Sequence, residues 1–482
     1  VFMPLDFIIG GPAMAGQGWR MLMECLAAGR SISLPGSNTG MQKMTARAVG
    51  AYARVRYQFK TAVGKFEGVE EALTRIGANT WLSDAARVMT AGAIDLGEKP
   101  SVVSAIVKFH VTERARQTVN DGMDVIGGKG ICLGPQNFLG RAYQQIPVGI
   151  TVEGANILTR SLILFGQGAI RCHPYVLKEM EAARSGDLVA FDEAFWGHIG
   201  YTVSNAARAL VMGLTGSHFV AVPDAGGKGV APETRRYYQQ LTRFSAAFAF
   251  LADISMGTLG GALKRKEKLS ARLGDILSLM YLASAALKRF EDEGRQAADA
   301  PLLHWVIWDC MFKAQNAFEG VIANFPNRLF ATLLRRVVVF PLGRPYFVPS
   351  DRLGHEVASL LINPSATRDR LTSDVYLPTD LDEPVGALEA ALTATIEAEP
   401  IEAKVRRAVK TGQFKPGLLV GGGVDALYEA ALAAGIISRD EFAIIVRRGE
   451  LRDEVIRVDD FPYDFGLRQA LAGLADEQRK AA

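Results

Sequence analysis

Apolar positions recur along most of this chain at helical spacing. Trp19, Leu22, Met23 and Leu26 stand at i, i+3, i+4 and i+7, one buried face of a helix. A break at Leu34-Pro35-Gly36-Ser37-Asn38 is predicted to separate it from a second helix, which carries Met44, Val49, Tyr52 and Ala53 towards Phe59. A third stripe runs through Val69, Leu73, Ile76, Leu82 and Met89. A fourth helix is expected after Pro100, with Ser101 as N-cap and Val103, Ile106 and Val107 on its apolar face. Four long helices with short connections predict a bundle over residues 16–175. Strand-like character is nearly confined to residues 1–15, which read as the end of a strand running into a glycine loop.

Beyond the bundle, residues 176–232 read as a connecting helix and a linker, with Pro223-Asp224-Ala225-Gly226-Gly227-Lys228-Gly229 at its centre. A helical extension is expected over 233–375 and a further helical region with a solvated tail over 376–482. Across the boundary between them, 363–384 is polar and proline-containing and reads as a loop, while 387–397, 425–434 and 439–448 read as charged, alanine-rich helices. The apolar run 244–263 has the length of a membrane span, but Ser245, Asp253 and Ser255 interrupt it. A charge in mid-span is costly, so a core helix is predicted. The stretch 325–347 mixes aromatics and apolar runs with Arg328, Arg335, Arg336 and Arg344, as segments at a membrane surface do. A buried helix with basic ends fits that stretch equally well. No internal repeat is present.

The chain has 482 residues, 49% of them hydrophobic and 22% charged, which is globular rather than disordered composition. Its 54 basic and 51 acidic side chains leave a net charge of +3, so nothing electrostatic points to a nucleic-acid partner. Cys25, Cys132, Cys172 and Cys310 lie far apart, and neither a disulfide framework nor a zinc site is predicted. The chain opens without a basic n-region or a small-residue cleavage site and reads as lacking its natural N-terminus, while the scattered cysteines make a reducing, cytoplasmic setting the expectation.

The familiar catalytic signatures, G-x-S-x-G, H-E-x-x-H and the Walker A loop, are absent. The six histidines never pair at ligand spacing, and no metal site is predicted. Gly421-Gly422-Gly423 reads as a turn. Three segments stand out. The first, Arg54-Val55-Arg56-Tyr57-Gln58-Phe59, ends a helix with arginines that could clamp a pyrophosphate, or simply face solvent. The second, Asp124-Val125-Ile126-Gly127-Gly128-Lys129-Gly130, pairs glycines after a helix, as a helix stop or a place of close approach requires. In the third, from Ile150 to Arg160, Glu153 precedes Gly154 and an apolar helix. It is either a dipole-favoured helix-start acid or a partly desolvated general base.

In order and spacing these segments resemble the C-terminal half of the acyl-CoA dehydrogenases. Arg56, Gln58 and Phe59 match the family's helix-ending arginine and Thr/Gln-Phe pair. Gly127 and Gly128 match its glycine loop, with Asp124 where a glutamine is usual. Glu153 and Gly154 match the Glu-Gly pair that holds the base. Arg30 matches a substrate-side arginine, with Ala27 replacing a nearby aspartate, and Ala155 stands where shorter relatives have threonine and a flavin contact. The run from Ile150 to Tyr175, with Gly166-Gln167-Gly168-Ala169-Ile170-Arg171-Cys172-His173-Pro174, and Gly16-Gln17-Gly18-Trp19 near the start are similar to the long bacterial fatty acyl-CoA dehydrogenases, which carry a large C-terminal extension. Arg141 lies further from Glu153 than in ordinary members, which implies an insertion in the loop delivering the base.

The resemblance implies a mainly α fold, a four-helix bundle followed by a second helical domain, with the family's N-terminal helical and β-barrel domains upstream of Val1. It implies FAD as cofactor and long-chain fatty acyl-CoA as substrate. Glu153 would remove the α-proton, with its own backbone N–H helping to polarise the thioester carbonyl. Arg56, Gln58, Phe59, Gly127, Gly128 and Ala155 would contact flavin, and Arg30 and Gly154 the substrate side. The contacts of Arg56, Gln58 and the Gly127–Gly128 loop would be to the flavin of a neighbouring subunit, so at least a homodimer is expected, with an electron-transfer flavoprotein as acceptor; the stretch 325–347 adds an expectation of peripheral contact with the inner membrane. Without the upstream domains, this chain is expected not to hold FAD productively. Two other readings stay open: an inert truncated paralogue acting as a helical scaffold, and an acyl-CoA oxidase.

Overall fold

A computed structural model describes residues 2–471 apart from 19–20, 22–25, 27–28, 99–100, 169–171, 224–228, 339–343, 416–423 and 469–470. Trp19, Leu22 and Met23 of the first predicted stripe, Pro100 and the glycine triplet at 421–423 lie outside the described residues.

The bundle is built on three long helices, α1 (Leu34–Val55), α2 (Glu67–Asp95) and α3 (Ser101–Ile126), each packed on the other two. The expected break before α1 is not one. A π-helical turn, Gly29–Ser33, runs directly into α1, and Pro35 sits in its first turn, where a missing N–H deprives no intrahelical partner. Instead α1 stops at Val55, short of Phe59, and Tyr57–Gln58 (β1) pairs antiparallel with Thr61–Ala62 (β2). Residues 2–15 are not a strand: Leu5–Phe7 and Pro12–Met14 form 3₁₀ turns. Pro4 and Pro12 lack N–H donors, Gly10 and Gly11 take φ of 80° and 84°, and no strand pairs with them among the described residues.

After a glycine-rich 3₁₀ turn, Gly127–Gly130, the chain forms α4 (Gly140–Thr151) against α3. The inserted loop expected before Glu153 is therefore helical, with Pro147 inside it. Next comes α5 (Asn156–Leu158), continued as a π-helix over Thr159–Gln167. Then follow α6 (Val176–Ser185), α7 (Leu188–Leu214), α8 (Arg235–Leu259), α9 (Glu267–Asp292), α10 (Ala300–Ala323), α11 (Arg328–Val337) and α12 (Asp351–Ile362). The stretch 363–384 is not all loop. Ser365 caps a short helix, α13 (Ala366–Leu371), by accepting the Arg368 N–H at 3.1 Å. The chain ends in α14 (Pro384–Lys410), α15 (Val424–Ala433) and α16 (Arg439–Ile456), the last opened by a Ser438–Glu441 capping box.

Segment 235–265 has the length and hydropathy of a membrane span, yet Phe244, Ala247 and Leu251 of α8 are buried in the core, as the interrupted pattern predicts. One hydrophobic core runs from Tyr52, Trp81 and Val111 of the bundle through Leu273, Phe290 and Phe318 to Leu361 and Leu388. Charged clamps cross the same seam. Arg47 on α1 forks onto Glu389 of α14 at 2.9 and 2.7 Å, and buried Arg368 reaches that carboxylate at 2.7 Å. Asp84 meets Lys43, Arg87 and Arg289, while the Arg289 guanidinium lies 5.2 Å from the Trp81 ring centroid. Burial favours the neutral form of Glu389, but hydrogen bonds from Arg368 and Arg47 outweigh it and hold the carboxyl below its usual value of 4.5. Such a group stabilises the fold above pH 4.5 and loses that contribution as pH falls through its lowered pKa. Glu389→Gln is expected to lower the melting temperature at pH 7 and to flatten part of the stability loss below pH 4.5; melting curves followed by circular dichroism at pH 7 and pH 3.5 check this.

Candidate functional site

Glu153 lies on a strained bend between α4 and α5. Val152 is extended, then Glu153 and Gly154 take φ of 54° and 94°. Positive φ is rare for a side chain as large as glutamate and persists only where the surroundings hold it. Here three groups do. Arg30, 3% exposed in the π turn before α1, donates Nε–H to the Glu153 carbonyl at 2.7 Å. Lys108 on α3, fully buried, donates to Gly154 O at 2.9 Å, Asn156 Oδ1 at 2.6 Å and Ile150 O at 3.3 Å. Asn156 in turn donates to Thr112 Oγ1 and Glu113 Oε1 at 2.9 and 2.8 Å, so both sides of the bend are tied to one helix.

The carboxylate folds back onto the π turn. A Cβ at Gly29 would lie 2.2 Å from Glu153 Oε1, and Oε2 is buried with no hydrogen-bond partner among the described residues. That oxygen keeps an unused acceptor position, unlike most buried polar atoms. Gly29→Ala moves only the flexible end of Glu153. It is expected to keep the melting temperature while displacing the Glu153 carboxylate from the turn, as melting curves and a crystal structure of the variant will show.

Burial lowers the Arg30 pKa, with the Glu153 charge opposing it. Burial and the Arg30 charge push Lys108 down to about 8, against the pull of Glu153 and Glu113. Gly29 and Lys108 carry no sequence signal of their own. One lies in an ordinary Ala-Gly-Arg run, the other on an apolar helix far along the chain from the bend.

Of the remaining sequence-predicted residues, all but Ala155 gather at the other end of α1. Arg56 caps that helix and donates to Tyr52 Oη at 3.1 Å; Tyr52 Oη meets the carbonyl of Ile126, where α3 gives way to the Gly127–Gly128 turn. Gln58 is exposed on β1. Phe59 is 90% exposed at the tip of the hairpin, and it and Lys60 take φ of 50° and 63°. Such two-residue turns usually carry Asn-Gly. Gly127 (φ 62°) and Gly128 have open space where a Cβ would stand, and buried Lys129 anchors their loop to Arg457 O at 2.7 Å. Ala155 is exposed beside Gly154. From Arg30 to Arg56 the helix rises roughly 39 Å at 1.5 Å per residue. The two groups of residues therefore lie at opposite ends of α1.

Sequence spacing also missed a cluster that joins the end of the bundle to the extension. His173, His198 and Asp253 come together with ligand atoms within 4.8 Å of one another. Their hydrogen bonds argue against a three-ligand metal site. His173 Nδ1 accepts the Tyr175 and Val176 N–H groups at 3.2 Å, so its proton sits on Nε2 and is donated to Asp253 Oδ1 at 3.0 Å. A nitrogen that keeps its proton has no lone pair for a metal. A cavity of about 800 Å³, lined by Glu70, Arg75, Asp309 and His355 among others, lies between α2, α10 and α12 and includes none of the residues around Glu153.

Comparison with known proteins follows the same division. A family profile described as "Acyl-CoA dehydrogenase, C-terminal domain" matches residues 16–165, and one described as "Acyl-CoA dehydrogenase, C-terminal, bacterial type" matches 170–461. A "Probable acyl-CoA dehydrogenase" of Bacillus subtilis is 21% identical over 339 residues, 66% of this chain and 50% of its own. A "Probable acyl-CoA dehydrogenase FadE10" of Mycobacterium tuberculosis is 24% identical over 356 residues, 67% of this chain and 51% of its own. A 51-residue stretch, 11% of this chain, is 67% identical to 30% of "Protein HemX" of Proteus mirabilis. This chain thus spans at most about half the length of these curated relatives. A solved acyl-CoA dehydrogenase from Bacillus anthracis, complexed with FAD, shares the fold with a TM-score of 0.52 at 16% identity over 72% of this chain and 57% of its own.

Proposed function

The chain belongs to the acyl-CoA dehydrogenase family, and on that premise we propose that it supplies the general base and part of the flavin-binding surface for dehydrogenation of long-chain fatty acyl-CoA to trans-2-enoyl-CoA, the first step of fatty acid β-oxidation. The observation that carries this reading is the Glu153 carboxylate. It is held on a strained bend against Gly29, with Oε2 buried and unpartnered among the described residues. Glu153 Oε2 takes the α-proton, and the bond left between the α- and β-carbons becomes double as hydride leaves the β-carbon. An α-hydrogen of a thioester is weakly acidic, so the backbone N–H of Glu153 would polarise the carbonyl. Arg30 acts on the base through its carbonyl, and Gly154 lines the same turn.

FAD, the family's cofactor, would supply the two-electron acceptor for that hydride. The residues here fit such a group. Arg56 has no ion pair among the described residues, Gln58 and Phe59 are exposed beside it, and Gly127–Gly128 leave open space for close approach. Ala155 is exposed next to the base. The length of α1 between the two ends of the site favours an enzyme in which a second copy completes each site, a homodimer at least. Electrons would leave to an electron-transfer flavoprotein in the cytoplasm. Exposed Leu329 and Leu333, with Arg328, Arg335 and Arg336 on α11, favour peripheral contact with the inner membrane. Liposome binding left unchanged by Arg335→Glu with Arg336→Glu would remove that last element.

The test is anaerobic addition of a long-chain acyl-CoA to the full-length holoenzyme. Rapid bleaching of the flavin absorbance is expected. Bound flavin that never bleaches would favour the scaffold reading, and peroxide formation in air in place of electron-transfer flavoprotein reduction would make the enzyme an oxidase.

A further inference from the structure

A second polar cleft lies on the seam between the bundle and the extension, behind the helix that follows Glu153. It is a cavity of about 450 Å³ walled by α3, the π-helical segment Thr159–Gln167, α9 and α10. Four permanent cations line it, Arg114, Arg160, Arg272 and Lys313, against two carboxylates, Glu113 and Asp275. Most of these charges are already engaged. Arg160 is matched by Asp275 at 2.8 and 2.5 Å, and Lys313 by Asp309 at 2.7 Å.

Two guanidiniums are left over. Arg114 is 8% exposed, donates only to the neutral amide oxygen of Asn79, and keeps a buried Nε with no partner among the described residues. Arg272 has no hydrogen bond or ion pair among the described residues; its stem lies on Gly320, where a Cβ would be 3.0 Å from Arg272 Cδ. A buried guanidinium without an anion is costly, so its persistence points to a partner of opposite charge.

His110 reports the same imbalance from inside the wall. Burial, then the charges of Arg114, Lys313 and Arg160, hold its pKa well below 6.5, so the ring is neutral, and its Nε2 is buried without a partner. A neutral imidazole can still donate one N–H to an oxyanion. Two free arginines and one imidazole around a cavity of this size match a tetrahedral dianion, for which the planar guanidinium fork is well shaped.

We propose that this cleft between α3, α9 and α10 binds a phosphate group, either free phosphate or the phosphomonoester of a small nucleotide, through Arg114 and Arg272. The site is separate from the flavin and base residues and does not depend on the reaction assigned above. It does touch the base loop, because Glu113 on its wall accepts from Asn156, the residue that Lys108 also holds.

Calorimetric titration of the full-length protein at low, fixed ionic strength tests this, with inorganic phosphate and AMP as probes. Saturable binding at one per chain is expected. Losing one charge-assisted contact weakens it by about tenfold or more in Arg272→Glu, with partial recovery in Arg272→Lys. Arg272 is only partly buried, so its variants should fold, and helical circular dichroism checks that; Arg114→Gln supplies the buried half of the test. AMP tighter than phosphate identifies a nucleotide site, and equal affinities identify a phosphate site. No binding of either probe, or binding that both arginine variants leave intact, overturns the proposal.

Discussion

Glu153→Gln in the full-length enzyme is expected to lower kcat and kcat/KM together by roughly 10²–10⁴-fold, the usual contribution of a placed general base. The substitution keeps the length and shape of the side chain, so the bend, the Arg30 contact to the backbone carbonyl and the contact with Gly29 all survive. What disappears is the ability of Oε2 to accept a proton. KM should move little. The parent and variant should share a melting temperature and a flavin content. A Glu153→Gln enzyme with nearly parental turnover would place the base elsewhere.

Lys108→Met is expected to cost about 1–3 kcal/mol of stability for acceptors left buried and unpaired, and to reduce kcat by roughly 100-fold through a displaced bend. Three acceptors depend on this one ammonium: the carbonyls of Ile150 and Gly154 and the Asn156 side chain. Lys108 touches none of the reacting atoms, so its role is positioning, and pH separates that role from bulk stability. Its pKa is lowered to about 8, chiefly by burial. The unfolded chain therefore binds the proton more tightly, and this group's effect on stability becomes more favourable as pH rises from 8 to 10.5. The neutral amine meanwhile offers two N–H donors where the ammonium offers three. Activity should thus decline above pH 8 while stability does not, and Lys108→Met should lose that alkaline limb. Parallel pH profiles of kcat and melting temperature show whether it does.

Periodicity carried much of the fold. The stripes through Val69–Met89 and Val103–Val107 became α2 and α3 because each buries one face in a common core. Local chemistry misled in three places. Pro35 looked like a stop but sits where a helix tolerates it, residues 1–15 looked like a strand but have no pairing partner among the described residues, and Ser365 started a helix inside a proline-containing loop. The Glu153-Gly154 pair and the Arg56 and Gly127–Gly128 segments were visible because each is contiguous. Gly29 and Lys108 were not, since they reach the bend around Glu153 only through contacts spanning 42 residues or more. The same holds for Asp253, brought to His173 across 80 residues.

The most direct measurement of the central claim is exchange at the α-carbon. Full-length holoenzyme, parent or Glu153→Gln, is incubated anaerobically with a long-chain acyl-CoA in D₂O, and the recovered thioester is analysed by mass spectrometry. Deuterium entering the α-position with the parent and not with the variant is the predicted result. Exchange at equal rates in both would contradict Glu153 as the base.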